Sequence, residues 1–160
     1  MEKSKGYSSD HFQTPDWCCE YMASFLPENC GTILEPTPGK GNLVKVLYPK
    51  GSVIAPSNFF DLKENSSFDW IVMNPPFTPM KVGYEILDKC MEMSDNIIAL
   101  MPWLTIINSQ KRTTKIMDFG LKSIVHLPRK TFPGSRVQTC ILHMSKGHTT
   151  STIFKAYENE

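Results

Sequence analysis

Residues 74–77 read Asn-Pro-Pro-Phe, and they follow the apolar run Phe68-Asp69-Trp70-Ile71-Val72-Met73. Two consecutive prolines remove two ladder donors, so a strand over Phe68–Met73 must end at Asn74. Its tip then offers a carboxamide (Asn74), a carbonyl outside the sheet (Pro75) and an aromatic ring (Phe77). Two such acceptors can each take one N–H of a planar exocyclic amine. The nitrogen is drawn toward a tetrahedral shape, and its lone pair becomes free to accept a methyl group from a sulfonium. Orientation and electrostatics carry that chemistry, and no strong base is needed. Phe77 can stack on the base that bears the amine. The plainer alternative is a rigid turn at Pro75-Pro76 with Phe77 in the core.

A second motif lies upstream, Glu35-Pro36-Thr37-Pro38-Gly39-Lys40-Gly41-Asn42-Leu43. A strand, a Gly-x-Gly turn and a helix start form a loop that lets the backbone approach a nucleotide-like ligand. Glu35 favours a positively charged ligand group over a pyrophosphate, which it would repel. The Lys-Ser/Thr ending of a phosphate loop is absent. Many tight turns carry a Gly-x-Gly, so this loop alone is a weak signal.

Strand and helix patterns alternate along the chain, which predicts an α/β fold with a mainly parallel sheet. Thr14-Pro15-Asp16 reads as a capped helix start, with Trp17, Tyr21, Phe25 and Leu26 at helical spacing and Pro27 as a stop. Strands are expected at Thr32–Glu35, Ser52–Ala55, Asn58–Leu62, Phe68–Met73, Asn96–Met101, Leu121–Leu127 and Thr139–Ser145. Helices are expected at Asn42–Tyr48, after the second capped start at Thr78-Pro79 (Val82, Ile86, Cys90 and Met93 on one face), and from about Ile106 to Phe119 with Gly120 as C-cap. The stretch Thr149–Glu160 reads as a loose end or a short edge strand, and residues 1–10 as a loose end. Little room remains for helices between the second, third and fourth strands, so the sheet there is covered thinly or by a partner. In such a sheet, ligands sit beyond the carboxyl ends of the strands, where both motifs fall.

The chain has 160 residues, a size that predicts one domain. An apolar fraction of 41% is enough for a packed core. No apolar stretch approaches the roughly 20 residues of a membrane span, and no signal segment is evident, so a cytoplasmic location is expected. Cys18, Cys19, Cys30, Cys90 and Cys140 read as reduced, mostly core residues. His11, His126, His143 and His148 have no acidic or thiol partner at ligand spacing, so no metal site is expected. Net charge is +1, but from Lys111 to Arg136 seven basic residues face one acid, Asp118. That segment is either a solvated face or a surface for phosphates.

Taken together, these residues resemble the S-adenosylmethionine-dependent N6-adenine DNA methyltransferases, and the resemblance covers most of the chain. His11-Phe12-Gln13-Thr14-Pro15 looks like that family's N-terminal cofactor motif. Phe132-Pro133-Gly134-Ser135-Arg136-Val137-Gln138-Thr139-Cys140-Ile141-Leu142 is similar to a phrase of restriction-system modification subunits. Ile98–Pro102 and Ile124–Pro128 fit its later strands. The resemblance implies a Rossmann-like, mostly parallel sheet of about seven strands, the last antiparallel, with helices on both faces, shortened in the middle. It implies S-adenosylmethionine as cofactor, held among Thr14, Glu35, Pro36, Gly39, Gly41, Asp61 and Asn74. It places catalysis on Asn74, Pro75, Pro76 and Phe77.

The loop Pro128–Gln138 should share the rim with Asn74, so Arg129, Lys130 and Arg136 are candidates for phosphates beside a flipped base. Lys111, Arg112 and Lys115, on the preceding helix, read as facing water. The chain departs from the family at Ile54-Ala55-Pro56-Ser57-Asn58, where the usual ribose-binding acid is missing and Asn58 is the nearest substitute. No segment is left for a target-recognition domain, so site choice would come from loops, a specificity subunit or a second copy. DNA is the favoured substrate. RNA (adenine N6 or guanine N2) and a protein glutamine are alternatives, as is a non-catalytic subunit that binds nucleic acid or a partner.

Overall fold

The computed structural model describes residues 13–158. The elements are α1 (Asp16–Ala23), β1 (Thr32–Leu34), α2 (Asn42–Leu47), β2 (Ser52–Ile54), β3 (Trp70–Met73) and α3 (Met80–Met93). They continue with β4 (Asn96–Pro102), α4 (Leu104–Ile107), α5 (Gln110–Phe119), β5 (Leu121–His126), β6 (Thr139–Ser145) and β7 (Ile153–Ala156). Single 3-10 turns cover Phe59–Asp61 and Arg129–Thr131.

The seven described strands form one sheet in the order β2-β1-β3-β4-β6-β5-β7. β6 runs antiparallel to β4 and β5, and every other pairing is parallel. One rim therefore collects the carboxyl ends of β1–β5 and β7. The central strands are buried along their length, as a sheet covered on both faces requires. Their alternation still sorts the two cores. Ile71, Met73, Ile97, Ala99 and Met101 pack with α3 and α5, while Val72, Ile98 and Leu100 pack with α1 and α2. Among the described residues no helix is long and apolar enough to cross a membrane.

The expected Rossmann-like sheet with an antiparallel strand at 139–145 is present, and the 149–160 stretch takes its short edge-strand alternative, but the segment between β2 and β3 differs from the expectation. Asn58–Leu62 is not a strand. The Asn58 side chain accepts the Phe60 N–H at 3.0 Å and caps a 3-10 turn instead. Phe59 is then buried in the cluster that holds Leu34, Ile71 and Met73, and with Leu62 and Phe68 it covers the sheet where a helix is missing. At the opposite edge, Ile153–Ala156 supplies the seventh strand by pairing with Ser123–His126. Beyond it, Tyr157 packs on Trp17 and Tyr21, with ring centroids 4.7 and 4.9 Å apart. The helix expected from Ile106 to Phe119 is broken in two. Ser109 accepts the Arg112 N–H and starts α5 afresh, and Thr113 donates its hydroxyl back to Ile106 O and Ser109 O. All five cysteines are free, and four of them are buried.

β3 begins two residues later than expected, because Asp69 is occupied at its foot. Its carboxylate accepts the Thr32 backbone N–H at 2.8 Å and the Thr32 hydroxyl at 3.1 Å. The Asp69 N–H donates to Thr32 Oγ1 at 3.0 Å. This reciprocal pair aligns the starts of β1 and β3, and so the register of the two tips above. Thr32→Val should lower unfolding free energy by about 1–2 kcal/mol, the range for losing such bonds in a half-exposed setting. Urea titration followed by tryptophan fluorescence checks this.

Candidate functional site

β1 and β3 are neighbours, so the two motifs meet at the rim. β3 ends at Met73, and Pro75 and Pro76 turn the chain into α3. Pro75 is buried, while Asn74, Pro76 and Phe77 are half-buried. Helix α3 comes unusually close to this turn at Gly83. A Cβ there would lie 2.9 Å from the Pro76 carbonyl oxygen and 3.6 Å from the Pro75 ring. A glycine inside a helix costs about 1 kcal/mol, and here the close contact explains it. Gly83 was not singled out from sequence, although its position inside an otherwise regular helical pattern was the available signal.

The central contact is between segments 60 residues apart. Asn74 Nδ2 donates to Thr14 Oγ1 at 2.7 Å. The Thr14 hydroxyl therefore does not cap α1, whose N-cap is Pro15 with no side-chain bond. Thr78 likewise makes no cap, since Pro79 precedes α3 directly. Thr14 is itself held, because its carbonyl accepts Asn42 Nδ2 at 3.1 Å and the Cys19 thiol at 3.5 Å. From the other side, the Thr37 hydroxyl donates to the Asn74 carbonyl at 3.3 Å, and the Thr37 N–H donates to Glu35 Oε1 at 2.9 Å. One chain of hydrogen bonds thus runs Glu35–Thr37–Asn74–Thr14–Asn42. Thr37 and Asn42 were not among the residues expected from sequence, where neither carries a signal of its own.

With its nitrogen on Thr14, the Asn74 amide leaves Oδ1 as an acceptor. No described residue donates to the Pro75 carbonyl. Phe77 packs edge-on against Phe132, with centroids 6.3 Å apart, and joins the core beside α1 as a half-buried ring.

The glycine loop leads from β1 to α2. Gly39 and Gly41 have φ of 53° and 84°, and Gly41 is the N-cap of α2. A Cβ on Gly41 would meet nothing within 4 Å, so the space in front of it is open and its backbone angle is what calls for glycine. Pro36 is buried behind the loop. Glu35 is 1% exposed, and burial pushes its carboxyl from 4.5 up to about 8, against the pull of its bond from the Thr37 N–H. An open glycine turn beside a buried carboxyl suits a cationic, nucleotide-like ligand, whose positive charge would draw the proton off Glu35. Asp61 is solvent-exposed at the end of the 3-10 turn that follows β2, on the same rim.

The basic loop is less uniform than its composition suggested. Arg129, Lys130 and Arg136 are all exposed. The Arg129 guanidinium closes its own loop, donating to Ser135 O at 3.2 Å. With the Gln138 amide turned to satisfy both groups, Arg129 also donates to its oxygen from Nη2 and Nε at 2.8 and 3.1 Å. His11 and Phe12 of the N-terminal motif lie outside the described residues.

This arrangement is the Rossmann-like fold of class I methyltransferases. The structure is similar to a protein assigned as the modification subunit of a type I restriction enzyme from Vibrio vulnificus (TM-score 0.74, 15% identity, 96% of this chain and 48% of that one). It is also similar to a type I restriction-modification methyltransferase subunit from Streptococcus thermophilus (0.71, 13%, 98% and 48%). A third match is a protein assigned as a class I S-adenosylmethionine-dependent methyltransferase from Listeria monocytogenes (0.68, 12%, 97% and 68%). The chain spans about half the length of the first two. No protein-family model and no curated protein sequence matches it.

The buried carboxyl makes a prediction about the ligand-free protein. Unfolded, Glu35 releases its proton near 4.5; folded, it keeps it to about 8. Between those values the unfolded state binds fewer protons, so stability is full below about pH 4.5 and falls as pH rises to about 8. Glu35→Gln should remove this component, on the order of a few kcal/mol. Its melting temperature should exceed that of the native protein at pH 8 and not at pH 5, as read by calorimetry across that range.

Proposed function

We propose that this chain is an S-adenosylmethionine-dependent methyltransferase acting on the exocyclic N6 amine of adenine in DNA. The observation that carries the reading is the held amide of Asn74, whose nitrogen is bound to Thr14. Its oxygen and the Pro75 carbonyl lie at the tip of a strand that two prolines end. A target amine is a donor and needs two acceptors. Once it occupies Asn74 Oδ1, the amide nitrogen needs an acceptor of its own in a site cleared of water, and Thr14 supplies it. Without that partner the buried donor would cost about 1–3 kcal/mol.

When bound, the cofactor supplies an electrophilic methyl group on a sulfonium. Gly39 and Gly41 let the backbone approach it, and Glu35, screened from water, offers it a negative charge. Asp61 on the next strand's exit serves its adenine amine. Asn74 and Pro75 hold the target nitrogen with its lone pair directed outward. The proton of the methylated amine then leaves to water, since neither acceptor is a base of useful strength. Phe77, edge-on to Phe132, presents its ring to the flipped base. DNA is favoured by the resemblance of residues 132–142 and by the two restriction-modification subunits among the similar structures. A specificity subunit or a second copy is the source of target choice.

Asn74→Ala should lower methyl transfer by at least about 100-fold, with S-adenosylmethionine binding largely intact by calorimetry. DNA from cells expressing the native chain should carry N6-methyladenine that the Asn74→Ala chain does not produce. Methyl label found only in RNA or protein would reject DNA as the substrate. Thr14→Val should lower kcat about tenfold, with KM for DNA and cofactor affinity little changed, and Thr14→Ser should recover most of the loss. If valine leaves kcat intact, Thr14 has no part in holding the amide.

A further inference from the structure

The α4–α5 segment follows the carboxyl end of β4, so the first turn of α5 stands on the same rim as Asn74. Lys111, Arg112 and Lys115 of that helix were expected to face water, and the structure separates them. Lys115 pairs with Asp88 of α3 at 3.1 Å. Glu85, the other acid on that part of α3, lies 3.9 Å from Lys81. Lys111 is exposed.

Arg112 does neither. Its guanidinium carbon lies 3.5 Å from the centre of the Tyr84 ring. Stacking uses the flat face of the guanidinium and none of its five N–H donors. Among the described residues Arg112 has no salt bridge, and the α3 acids Glu85 and Asp88 are paired with Lys81 and Lys115. Its Nη1 is enclosed and has no acceptor. Nε and Nη2 also lack partners and are not enclosed, so that edge of the fork stays open at the rim. A stacked guanidinium with an unused edge matches a tetrahedral oxyanion, which takes two parallel N–H bonds.

The neighbour of Tyr84 in the chain is Gly83, the residue that presses on Pro75 and Pro76. The stack and the catalytic turn are therefore braced by the same turn of α3. We propose that Arg112, laid on Tyr84, is a clamp for a backbone phosphate of the nucleic-acid strand that carries the target base. The inference rests on the nucleic-acid substrate proposed above and adds a site on a different element from the loop Pro128–Gln138.

The test is fluorescence anisotropy of the full chain with a short labelled oligodeoxynucleotide, single-stranded and duplex, over a range of salt. Arg112→Met keeps an aliphatic contact with Tyr84 and removes the charge and the fork. It should weaken binding about 5–20-fold near 0.1 M salt and reduce the slope of log affinity against log salt by about 0.7–0.9, the amount for one phosphate contact. Arg112→Lys keeps the charge without the planar fork and should recover only part of the affinity. Lys122→Ala, at the foot of β5 away from the rim, should leave the slope unchanged. Melting temperature and cofactor affinity should stay at native values for each variant. If the native chain binds the oligonucleotide and Arg112→Met binds it with the same slope, the clamp is rejected and the proposed function stands. If the native chain binds neither the single-stranded nor the duplex oligodeoxynucleotide, the clamp and the DNA substrate are rejected together.

Discussion

Asn74 is where three distant segments of this chain are tied together. Its side chain holds the segment before α1 through Thr14, its carbonyl holds the loop after β1 through Thr37, and its own backbone ends β3. The parallel register of β1 and β3, set at their feet by Thr32 and Asp69, brings those tips level. Prolines 75 and 76 then prevent the strand from running on, and Gly83 lets α3 close over the turn without a clash. Each feature is ordinary in isolation. Together they hold an amide in one orientation at the edge of the sheet, which is what an amine-recognising site requires before any ligand arrives.

The electrostatics of the site follow from the same construction. Glu35 sits at the end of a buried strand and pays for desolvation by holding its proton. A carboxyl in that state would ionise below about pH 8 only if a positive charge came beside it. Its bond from the Thr37 N–H keeps it pointed into the loop, so the buried carboxyl, the glycine turn and the Asn74 amide lie along one connected path. The network is short, and its members are local in space though not in sequence.

Much of this could be read from the residue string, for physical reasons that apply to particular residues. Asn-Pro-Pro-Phe after an apolar run is a strand stop with few other readings, and Glu35 with Gly39 and Gly41 marks a strand, a turn and a helix start. What could not be read depended on competition between partners. Thr14 before Pro15 looks like a helix cap, but its hydroxyl finds a better use 60 residues away. Asn58-Phe59-Phe60-Asp61-Leu62 has the apolar content of a strand, yet Asn58 can cap a turn within its own segment, and local bonding wins where no neighbouring strand waits. The sequence of Thr149–Glu160 leaves a loose end and an edge strand both open, and the free edge of β5 decides for a strand at Ile153–Ala156. The Arg112 stack needs α3 and α5 side by side, which no pattern along either helix announces.

The ring of Tyr157 carries a consequence for the whole assembly. It closes over Trp17 and Tyr21 at one margin of the sheet, clasping α1 from the side. Thr14, which holds the Asn74 amide, lies two positions ahead of that helix. Packing at that margin and the hold of Thr14 on Asn74 are therefore linked through one short helix. Trimming the chain before Tyr157 would bare the Trp17 and Tyr21 rings and slacken α1, and through it the hold of Thr14 on Asn74.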